Sequence, residues 1–384
     1  MPGCCPGAAR NRWDRRRGVS VWPTAELHVH IEGTLDGSLI RVLAARNGLP
    51  VPAGADGGAP FGSLQEFLDV YYANLDVLRT EQDFRDLAVA YAGRAAAAGV
   101  RRAEIFFDPQ SHTARGVPLS DVVLGLSRGL DAARERHGIS GALILCFLRH
   151  LGPEAAMATL EQALPLREHL LGVGLDSSEV GFPPALFRDV YERAAAEGLR
   201  RVAHAGEEGG PDYVWEALDV LGAERIDHGI RALEDVELVA HLREHQVPLT
   251  VCPLSNVALR AVPDLASHPI AVMLDEGLLA SVHSDDPAYF GGYLEDNQRA
   301  LLDAGLVTGD QLGVLAANAV VASFLPDSEK AALLAEVRAY AEQVGAAVPP
   351  AARVVGATGP AAPGQGADGQ RADGRGTGGQ GTGR

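Results

Sequence analysis

The sequence predicts an α/β fold, a (β/α)8 TIM barrel with a helical insertion after strand 1 and extra C-terminal helices. Eight short runs of β-branched and apolar residues recur along the chain, and stretches of helical period rich in Ala, Leu, Glu and Arg separate most of them. Histidines stand at or next to the ends of four of the eight runs, and the C-terminal rim of the strands is where barrels of this kind carry their sites.

Taken in order, the expected strands are ELHVH (26–30), AEIFF (103–107), ALILCFL (142–148), GVGLD (172–176), RVAHA (201–205), RIDHG (225–229), PLTVC (248–252) and LASVHS (279–284). The clearest helical stretches between them are 121–136 and 184–197. The insertion covers roughly residues 38–98, and the final helices fall within about 294–344.

Residues 1–22 read as a flexible extension, residues 23–348 as a single barrel domain, and 349–384 as a disordered tail of Gly, Ala and Gln. The tail has almost no large apolar side chains to offset the entropy of ordering.

A net charge of −17 argues against nucleic acid or an anionic membrane as partner, since both need a basic footprint. No apolar run is long enough to span a bilayer. The Arg-rich start lacks the apolar centre of a secretory signal, and the four cysteines form no C-x-x-C pair, so a reduced cytoplasm is expected. Cys146 and Cys252 lie in apolar runs and read as small core residues.

His28 and His30 stand two apart, so on a strand they share one face. In a barrel that face can be the lumen, where two imidazoles grip one metal. His204 ends strand 5, His228 ends strand 6, and Asp285 and Asp286 end strand 8. Adding His204 and Asp285 to the first pair gives three histidines and one aspartate, a catalytic zinc set in type, although other borderline cations suit it too. Each signal alone is weak. A buried histidine is usually a core residue, paired aspartates before proline are often turn chemistry, and HAGEEG also reads as a helix start. Their coincidence at the strand ends of one barrel carries the weight.

The ordered set ELHVHIEGT, HAGEEG, RIDHG, CPLSN and HSDDPAYFGGY, spanning about residues 26–325, resembles the adenosine/adenine deaminase family of metal-dependent hydrolases. The resemblance implies one zinc per chain and replacement of a purine 6-amino group by oxygen. It matches His28, His30, His204 and Asp285 to the metal ligands, and Glu207 to the acid that protonates N1. His228 matches the residue that orients and helps deprotonate the attacking water, and Asp286 the residue that holds N7. Related barrels with two metals bridge them by a lysine on a central strand. The only lysine here, Lys330, lies beyond all eight strands.

Within the family, adenosine deaminases resemble HLDG at the first motif, whereas this chain has HIEG, with Glu32 one methylene longer where the ribose would lie. EIFFDPQ (104–110), LDSSEVG (175–181) and DDPAYFGGY (285–293) also resemble the adenine branch more closely. The implied reaction is hydrolysis of adenine to hypoxanthine and ammonia in purine salvage. Adenosine, an N6-substituted adenine, and an inactive purine-binding barrel stand as alternatives. Glu32, Ser178 and Glu179 are expected to contact the substrate. Glu32 also reads as a support for a metal-ligating histidine.

His283 stands where the family usually has Asn, either as a harmless donor or as a perturbation of the metal site. Ser255 and Asn256 read as loop caps near the site, Trp215 as helix packing, and His112, His150 and His268 as surface or structural residues.

Overall fold

The computed structural model describes residues 21–55 and 64–348. The tail at 349–384 and residues 1–20 of the extension lie outside the described residues. Trp22, assigned by sequence to that extension, is instead fully buried, its ring edge-on to Tyr340 at 5.0 Å.

Eight parallel strands follow one another in chain order. They are β1 (Thr24–Glu26), β2 (Val100–Phe107), β3 (Ser140–Leu148), β4 (Leu170–Asp176), β5 (Arg200–Ala205), β6 (Arg225–His228), β7 (Leu249–Val251) and β8 (Ala280–Val282). Together with the surrounding helices they form a nearly closed (β/α)8 barrel.

The first strand differs from its expected span of 26–30. Its ladder with β2 covers only Thr24–Glu26, with a register shift between Thr24 and Ala25. Beyond it, residues 28–31 bond to both sides in turn. Phe106 N–H donates to Val29 O and Ile31 N–H to Phe106 O, while His30 N–H donates to Asp285 O and Asp285 N–H to His28 O. This alternation joins β8 to β1 and seats His28, His30 and Asp285 together at the seam.

The insertion consists of α1 (Gly37–Asn47), α2 (Leu64–Leu75) and α3 (Glu81–Ala97). Asp36 caps α1 by accepting from Ser38 N–H and Leu39 N–H, and Gly48 ends it in the left-handed conformation. A Thr80–Asp83 capping box starts α3. That helix packs closely on Leu119–His137, because a Cβ at Gly125 would stand 2.3 Å from Glu81 O. The expected C-terminal helices are present at Leu294–Asp303, Gly309–Ala322 and Asp327–Val344. Lys330 sits in the last of them, on no strand, and donates to Val321 O.

Inside the barrel, Phe106, Ile144, Cys146 and Val202 form a dry layer. Burial pushes the Cys146 thiol well up, which keeps it protonated and inert. A buried Arg225–Glu104 ion pair at 2.6 Å joins β6 to β2 nearer the N-terminal ends of the strands. The catalytic rim therefore stands on a packed floor. No helix among the described residues is long and apolar enough to cross a membrane.

Candidate active site

Three histidines and Asp285 meet where the C-terminal strand ends converge. The Nε2 atoms of His30 and His204 stand 3.2 Å apart. Asp285 Oδ1 is 3.6 Å from Nε2 of His28 and 3.6 Å from Nε2 of His30. Two nitrogens bound to a tetrahedral zinc at about 2.0–2.1 Å must lie about 3.3 Å apart, so the spacing fits a cation between the rings. His28 Nε2 is fully buried with no hydrogen-bond partner, which fits a nitrogen that ligates a cation.

Each ring backs its other nitrogen onto oxygen. His28 Nδ1 donates to Thr250 O at 3.1 Å, and Thr250 Oγ1 donates to Asp227 Oδ1 at 2.8 Å. Asp227 Oδ2 lies 3.6 Å from His204 Nδ1, and Asp176 Oδ2 lies 3.5 Å from His30 Nδ1. Such backing directs Nε2 inward and raises its basicity. Burial, together with the neighbouring His28, His228 and His30 rings, pushes His204 well below its usual range, leaving a lone pair for a metal. Burial would raise the Asp285 carboxyl, but the facing His28 imidazole reverses this and holds it well down. Cys252 also approaches His28 and Asp285. Burial keeps its thiol protonated, which makes it a poor ligand.

Around this centre lies a cavity of about 800 Å³ including its open mouth, walled by His30, His204, Glu207, His228, Asp285 and Asp286 among others. Five non-glycine residues among the described ones have positive φ, and three of them, Ser177, His228 and Asp285, line this cavity. Backbone strain thus gathers where side chains must be aimed.

Glu207 Oε1 accepts from Asn256 Nδ2 at 2.7 Å, and its Oε2 is 3.5 Å from His228 Nε2. Burial first, then the charges of Asp285 and Glu179, push Glu207 well above the usual carboxylate range. A carboxyl so placed keeps its proton to higher pH than an ordinary carboxylate and can act as an acid. His228 Nδ1 lies 3.2 Å from the same Asn256 nitrogen and accepts from it, so the imidazole proton sits on Nε2, facing the cavity. Asp286 approaches Gly33 so closely that a Cβ there would stand 1.9 Å from Asp286 Oδ1, which accounts for the glycine of HIEG.

The four expected ligands, Glu207, His228, Asp286 and Ser178 all face or border this space. Glu32 and Glu179 are not among the residues that line it. Glu32 is wholly buried, and its Oε1 accepts from Asp108 N–H at 3.0 Å and His112 Nε2 at 2.8 Å. Burial raises it to about 7. It supports the end of β2 and no metal-ligating histidine. Glu179 Oε2 accepts from Gly209 N–H at 2.6 Å and Oε1 from Glu207 N–H at 3.3 Å, so it shapes the loop that carries Glu207.

His283 is not among the residues with grouped ligand atoms. Its Nδ1 accepts from Leu27 N–H at 3.1 Å and its Nε2 bonds Ser281 Oγ at 2.7 Å, supporting the stretch after β1. His112 and His268 are buried structural residues. Trp215 packs on its helix and donates to Asp235 at 2.9 Å. Asp108 and Asp176 line the cavity but were not singled out by sequence. The signal was present, since FFD and GLD end strands 2 and 4 as the other motifs end theirs.

The model of the adenosine deaminase family matches residues 23–340. An adenine deaminase of Streptomyces coelicolor is 60% identical over 325 residues, covering 83% of this chain and 95% of its own. One from Sphingopyxis alaskensis is 53% identical over 340 residues, covering 88% of this chain and 100% of its own. Among solved structures, an adenine deaminase from Arthrobacter aurescens superposes with a TM-score of 0.80 at 51% identity, covering 84% of this chain and 99% of its own. An amidohydrolase from Burkholderia ambifaria with bound Zn gives a TM-score of 0.77 at 30% identity, covering 85% and 93%.

Proposed function

The chain belongs to the adenosine deaminase family of metal-dependent hydrolases, and from that premise we propose that it hydrolyses adenine to hypoxanthine and ammonia in purine salvage. The observation that carries the reading is the convergence of three histidine Nε2 atoms and Asp285 beside a raised Glu207 carboxyl, in a chain 50–60% identical to adenine deaminases over most of its length.

His28, His30, His204 and Asp285 would hold one zinc ion. When bound, that cation supplies Lewis acidity, making water a nucleophile near neutral pH. The side chains do the rest. Asp286 holds N7 and fixes the ring plane, with C6 toward the three histidines. His228 presents its Nε2–H toward the attacking water and sets its direction, with Asp285 Oδ2 3.8 Å away as a nearby acceptor. As oxygen adds at C6, electron density moves to N1, and the protonated Glu207 neutralises it there. Of the water's two protons, one then restores Glu207 and the other passes to the amino nitrogen, which leaves C6 as ammonia. Ser178 also lines the cavity and is assigned to the N3 edge. Glu179 acts behind it by holding the Glu207 loop.

The test is ammonia release by zinc-loaded protein from adenine and from adenosine at equal concentration. Strong preference for adenine is expected. Preference for adenosine would overturn the choice of substrate, and no release from either would overturn the reaction.

A further inference from the structure

We propose that Asp108 is the specificity-determining residue for the free base, accepting the N9–H of adenine and excluding 9-substituted purines, with Glu32 holding it in place from behind. The proposal rests on the adenine reading above and locates its selectivity.

Glu32 cannot itself enter the sugar space. Its side chain has no exposure, and reaching inward would break its bonds to Asp108 N–H and His112. His112 is held in turn, its Nδ1 accepting from Arg115 Nη2 at 2.7 Å. Glu32 therefore fixes the backbone at the end of β2, and the residue so fixed is Asp108.

Asp108 lines the cavity, is 5% exposed, and has an Oδ1 with no hydrogen-bond partner. A buried acceptor left unmatched is costly, and a ligand N–H would satisfy it. Asp176 lies beside it with its Oδ1 likewise unmatched, but its Oδ2 is turned to His30 Nδ1 at 3.5 Å. Because Asp176 is committed on one side to the ring of His30, Asp108 is the one of the pair assigned to the substrate.

The position suits N9. Asp286 is assigned to N7, and N7 and N9 belong to the same five-membered ring. Asp108 and Asp286 line the same cavity and are near enough for their charges to interact. With N7 used as an acceptor, free adenine carries its imidazole proton on N9, where it makes a charge-assisted bond to a carboxylate. A 9-substituted purine has no such proton and sets carbon against the carboxylate. A site built to bond a substrate N–H rejects analogues lacking it by up to about 10⁴–10⁵-fold.

The experiment compares kcat/KM for adenine and 9-methyladenine, which keeps N1, N7 and the 6-amino group and carries no sugar. Wild type is expected to favour adenine strongly. Asp108→Ala should lower kcat/KM for adenine about 10–100-fold, mainly through KM, and leave 9-methyladenine unchanged or improved. Asp108→Asn, which keeps the volume should the alanine variant fail to fold, should narrow the ratio by about 3–10-fold. Glu32→Ala should narrow it too, although Glu32 touches no substrate. A parallel loss on both substrates, or an unchanged ratio in folded, metal-loaded variants, overturns the assignment. A wild type inert on adenine defeats the adenine reading and this inference with it, whereas an active wild type with unresponsive variants defeats this inference alone.

Discussion

The Asn256 side-chain nitrogen donates to Glu207 Oε1 at 2.7 Å and lies 3.2 Å from His228 Nδ1, so one amide orients both the acid and the imidazole. The amide is itself fixed. His268 Nδ1 accepts from Ile270 N–H at 3.2 Å, which leaves its proton on Nε2 to donate to Asn256 Oδ1 at 3.3 Å. Asn256 therefore has only its NH2 to offer the site. Asn256→Ala should lower kcat about 10–100-fold with little change in KM or metal content. The amide bond also restrains the rise in the Glu207 pKa, so its loss should move the alkaline limb of the rate profile upward. Steady-state kinetics across pH check both points. An unchanged kcat and profile would reduce Asn256 to a loop cap.

Glu207 makes a separate prediction. It is outside the grouped ligand atoms, and its raised carboxyl has a single proton to give. Glu207→Ala should lower kcat by about 10³-fold or more while zinc content by elemental analysis stays at wild-type level. Substantial residual activity would show that the N1 proton comes from elsewhere.

The fold was legible because barrel strands and helices differ in period, and all eight expected strands are present. The first was placed too late because residues 27–30 are extended without forming a ladder, and sequence period reports extension, not pairing. Among the site residues, those whose roles depend on strand position were readable, since His28 and His30 share a face wherever the strand begins. Glu32 and Glu179 were not. Both are carboxylates beside the site, and only the bonds to Asp108 N–H and Gly209 N–H reveal that they face away from it. The His268 contact joins residues twelve apart across a turn, and no periodicity announces it.

His283 offers a test of its supporting role. It pairs a buried backbone N–H at Leu27 with the Ser281 hydroxyl. His283→Ala leaves that N–H unmatched and should cost about 1–3 kcal/mol in urea unfolding. His283→Asn, whose carbonyl can accept from Leu27, should recover part of this, with metal affinity unchanged in both. A lost metal site with undiminished stability would contradict the geometry.

Metal removal should act on stability as well as on rate. Without a cation, His28 Nε2 stays unsatisfied, and Asp285 is left to the histidines alone. A cation bound to the folded chain stabilises it by mass action, about 2.7 kcal/mol when free metal is 100 times Kd. Chelated protein should melt several degrees lower and recover both Tm and activity on adding zinc. A Tm indifferent to metal would count against a site built from these four residues.

His268 gives the acid side of the stability curve a definite shape. Burial lowers it to about 4 from 6.5, and a proton on Nδ1 would also displace the Ile270 N–H. The folded state thus refuses a proton that the unfolded chain accepts below about 6.5. Its contribution is complete above pH 6.5 and is lost as pH falls toward 4. Between pH 7 and pH 5 the loss from this one group is about 2 kcal/mol. In His268→Gln that loss should disappear, even if the variant is less stable at pH 7. Urea midpoints for both proteins at the two pH values isolate the effect, since other buried histidines contribute equally to each. If wild type and variant weaken equally on acidification, His268 is protonated at little cost, and the Asn256 amide is not fixed in the way its hydrogen bonds indicate.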